Sequence, residues 1–145
     1  MEITSGIYVK SNIMSEEIKI DISSRPGYIF ISLSGVWTSE TAPELLKRLT
    51  VAITEVRETS ILVDSRNLMY DSSVFSDYLA TRDMEFVEPP GTKRIAVVEK
   101  EEIKHNVEMF ELALRNLGVN ARFFFDEKKA LNWLTGDDLK NQRAV

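Results

Sequence analysis

The sequence contains no cysteine and a single histidine, His105. Without thiols there is no disulfide framework, no thiolate nucleophile and no cysteine-based metal site, which fits a reducing compartment. His105 sits beside Lys104 off the apolar stripe of its segment, so it reads as a solvated side chain. No G-x-S-x-G motif offers it a serine partner, so hydrolase chemistry of the Ser-His-Asp kind is not expected. The six glycines are isolated, which leaves no glycine-rich cradle for phosphate. No stretch approaches about 18 consecutive apolar residues, and the first residues lack the charged-then-apolar pattern of a signal peptide. The expectation is a cytoplasmic protein with no membrane span. A basic excess is missing as well: 18 Lys and Arg stand against 23 Asp and Glu, for a formal net charge of −5. Such a surface repels phosphate backbones, and nucleic acid is not an expected partner.

What is present is a soluble globular composition, 43% hydrophobic and 28% charged over 145 residues, enough for one domain with its own core. Residues 1–16 form an arm or a short strand around Ile7-Tyr8-Val9. Ile18, Ile20 and Ile22 then alternate with polar residues, the period-two pattern of a half-buried strand. Pro26-Gly27 marks a turn, and Tyr28 to Leu33 is a second strand, closed by Gly35. Thr41-Ala-Pro-Glu44 reads as a capping box for a helix running to about residue 58, with Leu45, Leu49, Ala52, Ile53 and Val56 on one face. Arg94 to Val98 is a continuous apolar run, as in a strand covered on both faces. A helix over 102–117 follows, with Ile103, Val107, Phe110, Leu114 and Leu117 in one stripe and Gly118 behind it. A strand over 119–125 leads to Asp126, which caps a final short helix stopped by Gly136.

The stretch between these halves carries the functional question. Ile61-Leu62-Val63 predicts a buried strand that ends at Asp64, followed by a polar loop. Asp71-Ser72-Ser73 then supplies three capping residue types ahead of Val74, Phe75, Tyr78 and Leu79, which predicts a helix over about 73–85. A helix N-terminus favours an anion, so a serine there is both a good cap and a plausible phosphate acceptor. The expected fold is a single α/β domain of order β-β-α-β-α-β-α-β-α, with a mixed, mostly parallel sheet and packed helices. The domain covers 17–135, and 136–145 form a polar tail.

Two segments resemble the signatures of STAS domains, the anti-anti-sigma factor fold. In Leu33-Ser-Gly35-Val-Trp-Thr38-Ser-Glu-Thr41-Ala-Pro-Glu-Leu45 a strand ends in glycine and a helix opens with a small polar run. In Ile61 to Val74 a strand and aspartate lead through a loop to Asp-Ser-Ser. The later part, Arg94 to Leu134, is more similar to the divergent SpoIIAA-like (STAS/SEC14) branch. The resemblance implies a non-enzymatic regulatory module without cofactor or metal. Its partner would be an anti-sigma factor or a kinase-like protein, and a homodimer is a further option. It also implies Ser72 as phosphorylation site, with Ser73 beside it, and a partner surface of Thr38, Asp71, Ser72, Ser73 and Val74. Val74 stands where the family usually has glycine, and Thr38 where it tends to have an acidic residue.

Competing readings concern the same residues. Ser72 and Ser73 serve as plain caps without any modification. Asp64, Asp71 and Asp77 read as turn formers and caps rather than a cation site, because nothing fixes their oxygens on one point. Phe123-Phe124-Phe125 must alternate between sheet faces, and all three are core if both faces are covered. The alternative function is a carrier or sensor of a small apolar, lipid-like ligand, in a pocket near Trp37, Tyr70 and Phe86, with Trp133 as a further wall.

Overall fold

A computed structural model describes residues 4–10, 17–38, 40, 42–71, 93–116 and 118–136. Their elements are β1 (Thr4–Lys10), β2 (Glu17–Arg25), β3 (Tyr28–Trp37), α1 (Ala42–Glu55), β4 (Ser60–Tyr70), β5 (Arg94–Val98), α2 (Lys104–Asn116), β6 (Ala121–Phe124) and α3 (Glu127–Thr135). A 3-10 turn, Glu101–Ile103, leads into α2. The strands form one sheet in the order β1-β2-β3-β4-β5-β6. The β1–β2 and β2–β3 pairs are antiparallel, and β3 to β6 are mutually parallel.

The local causes are those of the sequence. Arg25 pairs with Tyr28 across Pro26-Gly27, and Gly27 takes φ 86°, which a side chain would resist. Asp126 accepts a hydrogen bond from the Lys128 N–H at 2.8 Å, and Gly136 closes α3 in the left-handed region. The helices divide between the two faces. Successive parallel strands step in one direction across the sheet, and right-handed crossovers place their helices on one side. α1 and α2 accordingly cover one face, over a core that includes Ile20, Ile31, Leu33, Leu45, Ile61 and Val63. α3 follows the last strand and returns over the other face, where Ala130 and Leu134 meet Leu62, Ala96 and Val98. The Arg94 guanidinium lies 4.3 Å from the Trp133 ring centroid on that side.

Several expectations change. Of the two readings of residues 1–16, an arm or a short strand, the strand is the one found, as β1 paired to β2 along its whole length. α1 stops at Glu55 rather than near residue 58, α2 proper begins at Lys104, and β6 is shorter than expected. β3 does not close at Gly35: the strand passes through it at φ 116° and ends at Trp37. β4 does not end at Asp64 but continues to Tyr70, so no polar loop follows the aspartate. Thr41, the helix expected over 73–85 and the polar tail beyond residue 136 lie outside the described residues.

Candidate ligand cavity

The length of β4 matters because the strand carries a bulge. Ser32 pairs with Asp64 and Ser34 with Asn67, so three steps along β4 match two along β3. The extra residue inverts the alternation of side chains. Ile61 and Val63 face α1 and α2 before the bulge, and Leu68 and Tyr70 face them after it. Without the bulge Tyr70 would point to the opposite side of the sheet. Asp64 and Arg66 hold it. The Arg66 Nε and Nη2 donate to the two Asp64 oxygens at 2.9 Å each, and the Arg66 backbone N–H donates to Oδ1 at 3.1 Å. Burial would raise the Asp64 carboxyl, but the hydrogen bonds and charge of Arg66 outweigh it and hold the group below its ordinary value. Asp64 is therefore a clamp for the strand, not a strand end.

Between the sheet and the two helices lies a cavity of about 110 Å³. Leu33, Val63 and Val97 form its floor, Leu45, Leu49 and Ile53 of α1 one wall, and Phe110 and Leu114 of α2 another. Trp37 and Tyr70, at the paired ends of β3 and β4, stand together at it with ring centroids 5.5 Å apart. Phe110 also stacks on Trp37, with ring centroids 6.1 Å apart.

One part of the lining is polar. Glu99 follows β5 directly, is 3% exposed, and accepts the Tyr70 hydroxyl on Oε2 at 2.5 Å. Its backbone N–H donates to the Phe124 carbonyl at 2.8 Å, which fixes its position against β6. Burial pushes the Glu99 carboxyl up to about 7, against the opposing effects of the Tyr70 hydrogen bond and the Lys100 charge. The same burial, with the Glu99 charge, raises the Tyr70 hydroxyl. Lys100 Nζ donates to the Leu68 carbonyl at 2.6 Å, behind the tyrosine ring. Glu99 Oε1 and Trp37 Nε1 are buried with no hydrogen-bond partner among the described residues.

Of the residues singled out in the sequence, Trp37 and Tyr70 line this cavity together, and Trp133 does not. It packs on Phe124 at 5.8 Å under α3, on the far face of the sheet. Phe123 faces the cavity and Phe124 the α3 layer, as alternation requires. Thr38 and Asp71 lie at adjoining strand ends, where the Asp71 N–H donates to the Trp37 carbonyl at 3.0 Å. Ser72, Ser73, Val74, Asp77 and Phe86 lie outside the described residues. His105 is exposed on α2. Among the described residues no group of three or more His, Asp or Glu side chains could hold a metal ion, and no helix is long and apolar enough to cross a membrane. Glu99 and Ser65, both lining the cavity, were not singled out in the sequence. The signal for Glu99 was an acidic residue directly after a buried parallel strand, the sheet edge where ligands collect.

A solved structure with this architecture is an anti-sigma factor antagonist from Mycobacterium paratuberculosis. It superposes with a TM-score of 0.53 at 17% identity, over 81% of this chain and 94% of that one. The chain has a STAS/SpoIIAA-like fold. A second similar structure is an uncharacterized protein from Shewanella loihica with a SpoIIAA-like fold, at 17% identity and a TM-score of 0.43, over 92% of this chain and 95% of that one. No family model and no curated protein matches the sequence. In the STAS-like frame the cavity lies beneath the two helices that share one face, and its polar lining includes Glu99, directly after β5.

Proposed function

We propose that the protein is a non-catalytic regulatory module that senses a small apolar ligand in the cavity beneath α1 and α2. The observation that carries this reading is the pairing of apolar walls with a buried polar patch at Trp37, Tyr70 and Glu99. Small-molecule sites have that form: hydrophobic lining supplies affinity, and a few placed polar groups supply orientation. A hydrophobic core alone gives no reason to bury a carboxylate with one oxygen unpartnered, which costs free energy unless something satisfies it.

The regulatory part of the reading draws on the fold, since the mycobacterial neighbour is an anti-sigma factor antagonist. Fold by itself does not fix function, but the local geometry offers a route from cavity to surface. Thr38 directly follows Trp37, and Asp71 and Ser72 follow Tyr70. A ligand that shifts the two rings shifts the residues proposed to meet a protein partner, and a difference in its affinity for the two arrangements sets their populations. Phosphate on Ser72 or Ser73 would act at the same place by adding nearly two negative charges beside Asp71.

The test is native mass spectrometry of gently purified protein. A small copurifying mass is expected in the wild type and is expected to be lost in Ala121→Val, which narrows the cavity from β6. Wild-type protein that carries no such mass, and takes up none from a panel of apolar compounds, would overturn the sensor reading. In parallel, incubation with ATP and a cell extract containing kinases is expected to place phosphate on Ser72 or Ser73. An unmodified chain removes that switch and leaves the ligand reading standing.

A further inference from the structure

We infer that the cavity selects a small neutral molecule with an apolar body and a hydroxyl head, whose oxygen accepts from Trp37 Nε1 and whose proton goes to Glu99 Oε1. The inference rests on the sensor reading above and names the class of its ligand. The two unpartnered atoms are of opposite kinds. An indole nitrogen can only donate, and the free Glu99 oxygen can only accept once the carboxyl is ionised, so the titrations below are run at about pH 8. Both belong to side chains more than nine-tenths buried at the same cavity: Trp37 is 8% exposed and Glu99 3%. Tyr70 already occupies the other Glu99 oxygen with its own proton, so it leaves Oε1 as the free acceptor.

A hydroxyl is the smallest head that accepts once and donates once. A ketone accepts from Trp37 and leaves Oε1 unpaired. An ammonium has no lone pair for the indole N–H. A carboxylate brings a second negative charge to Glu99, with the charge of Asp64 also felt there. The body is limited by space: about 110 Å³ is somewhat less than the roughly 150 Å³ of an apolar cavity known to take benzene. A ring of six carbons with one hydroxyl is therefore the scale of the ligand, or of the part of it that enters.

The chain provides its own reporter and its own control. It has two tryptophans, Trp37 at the cavity and Trp133 on the opposite face of the sheet. The full-length protein is titrated with phenol, toluene, cyclohexanol, cyclohexanone and benzoate, and both indole N–H resonances are followed by NMR. Phenol and cyclohexanol are expected to move the Trp37 signal saturably and leave Trp133 unmoved. Toluene and cyclohexanone are expected to bind roughly tenfold or more weakly, the cost of leaving a buried donor or acceptor unpaired. Trp37→Phe, read through chemical shifts of the cavity methyl groups, is expected to narrow the preference for phenol over toluene without abolishing it, because Glu99 Oε1 still accepts the phenol proton.

Equal binding of phenol and toluene by the wild type overturns the hydroxyl assignment while the cavity reading survives. Tighter binding of cyclohexanone or benzoate does the same. If no compound moves the Trp37 signal, both this inference and the sensor reading fall.

Discussion

Raising the pH from about 4 to about 8 is expected to cost the wild-type protein about 3 kcal/mol of folding stability through Glu99, and Glu99→Gln is expected to abolish that loss. Burial is the main cause, because the Glu99 carboxyl is almost wholly removed from water and its charged form is disfavoured. Its folded-state value near 7 stands above the ordinary 4.5 of the unfolded chain. Between those two values the folded protein binds more protons than the unfolded one, so stability falls as pH rises. The contribution is complete below about 4.5 and gone above about 7, and at roughly 1.4 kcal/mol per pH unit the gap amounts to about 3 kcal/mol. Asp64 has the opposite sign. Its carboxyl is held below the ordinary 3.8, so its stabilisation is present above that value and is lost only as pH falls further. The two windows do not overlap. Glutamine keeps an amide oxygen for the Tyr70 hydroxyl and has no charge to desolvate. Urea denaturation of both proteins across this range is the measurement. A flat wild-type profile, or a glutamine variant with the wild-type slope, would show that Glu99 is solvated or paired in a way this geometry lacks.

The same carboxylate shows where sequence reasoning reached its limit. Isoleucines alternating at 18, 20 and 22, the Pro26-Gly27 turn, the α1 and α2 stripes and the Asp126 and Gly136 caps are local signals, and each element they predict is present. The continuous run Ile95 to Val98 correctly indicated a strand buried on both faces. What failed was non-local. Asp64-Ser65-Arg66-Asn67 is polar and reads as a loop, yet β3 supplies a ladder for it and Arg66 clamps Asp64, so the chain stays extended around a bulge. That bulge decides which way Tyr70 faces, and nothing in the spacing of residues announces it. Trp133 was grouped with Trp37 because both are large and aromatic. Only the crossover of α3 to the far face separates them. Glu99 was visible as a strand-end carboxylate, but its partner Tyr70 lies 29 positions earlier.

The second large effect is expected where the sheet meets α3. Leu62→Ala should remove about 3 to 5 kcal/mol, a large share of the roughly 5 to 15 kcal/mol that holds a domain of this kind together. Leu62 is fully buried in the first part of β4, between Phe30 on β3 and Ala96 on β5. Its side chain packs with Val98 and with Ala130 and Leu134 of α3. Truncation costs the transfer energy of the lost carbons and also the void left behind, and the void persists when neighbours cannot close it. Here they cannot. The flanking strands are locked by ladders on both sides, and the alanines at 96 and 130 are too short to reach across. Leu112→Ala on α2 removes the same atoms from a residue that is 62% exposed, and should change stability by no more than about 0.5 kcal/mol. Guanidinium denaturation at one pH separates the two, with the slope unchanged and only the midpoint moved for Leu62→Ala. A loss near that of the exposed control would mean that α3 does not seal this face, and the three-layer arrangement would have to be redrawn.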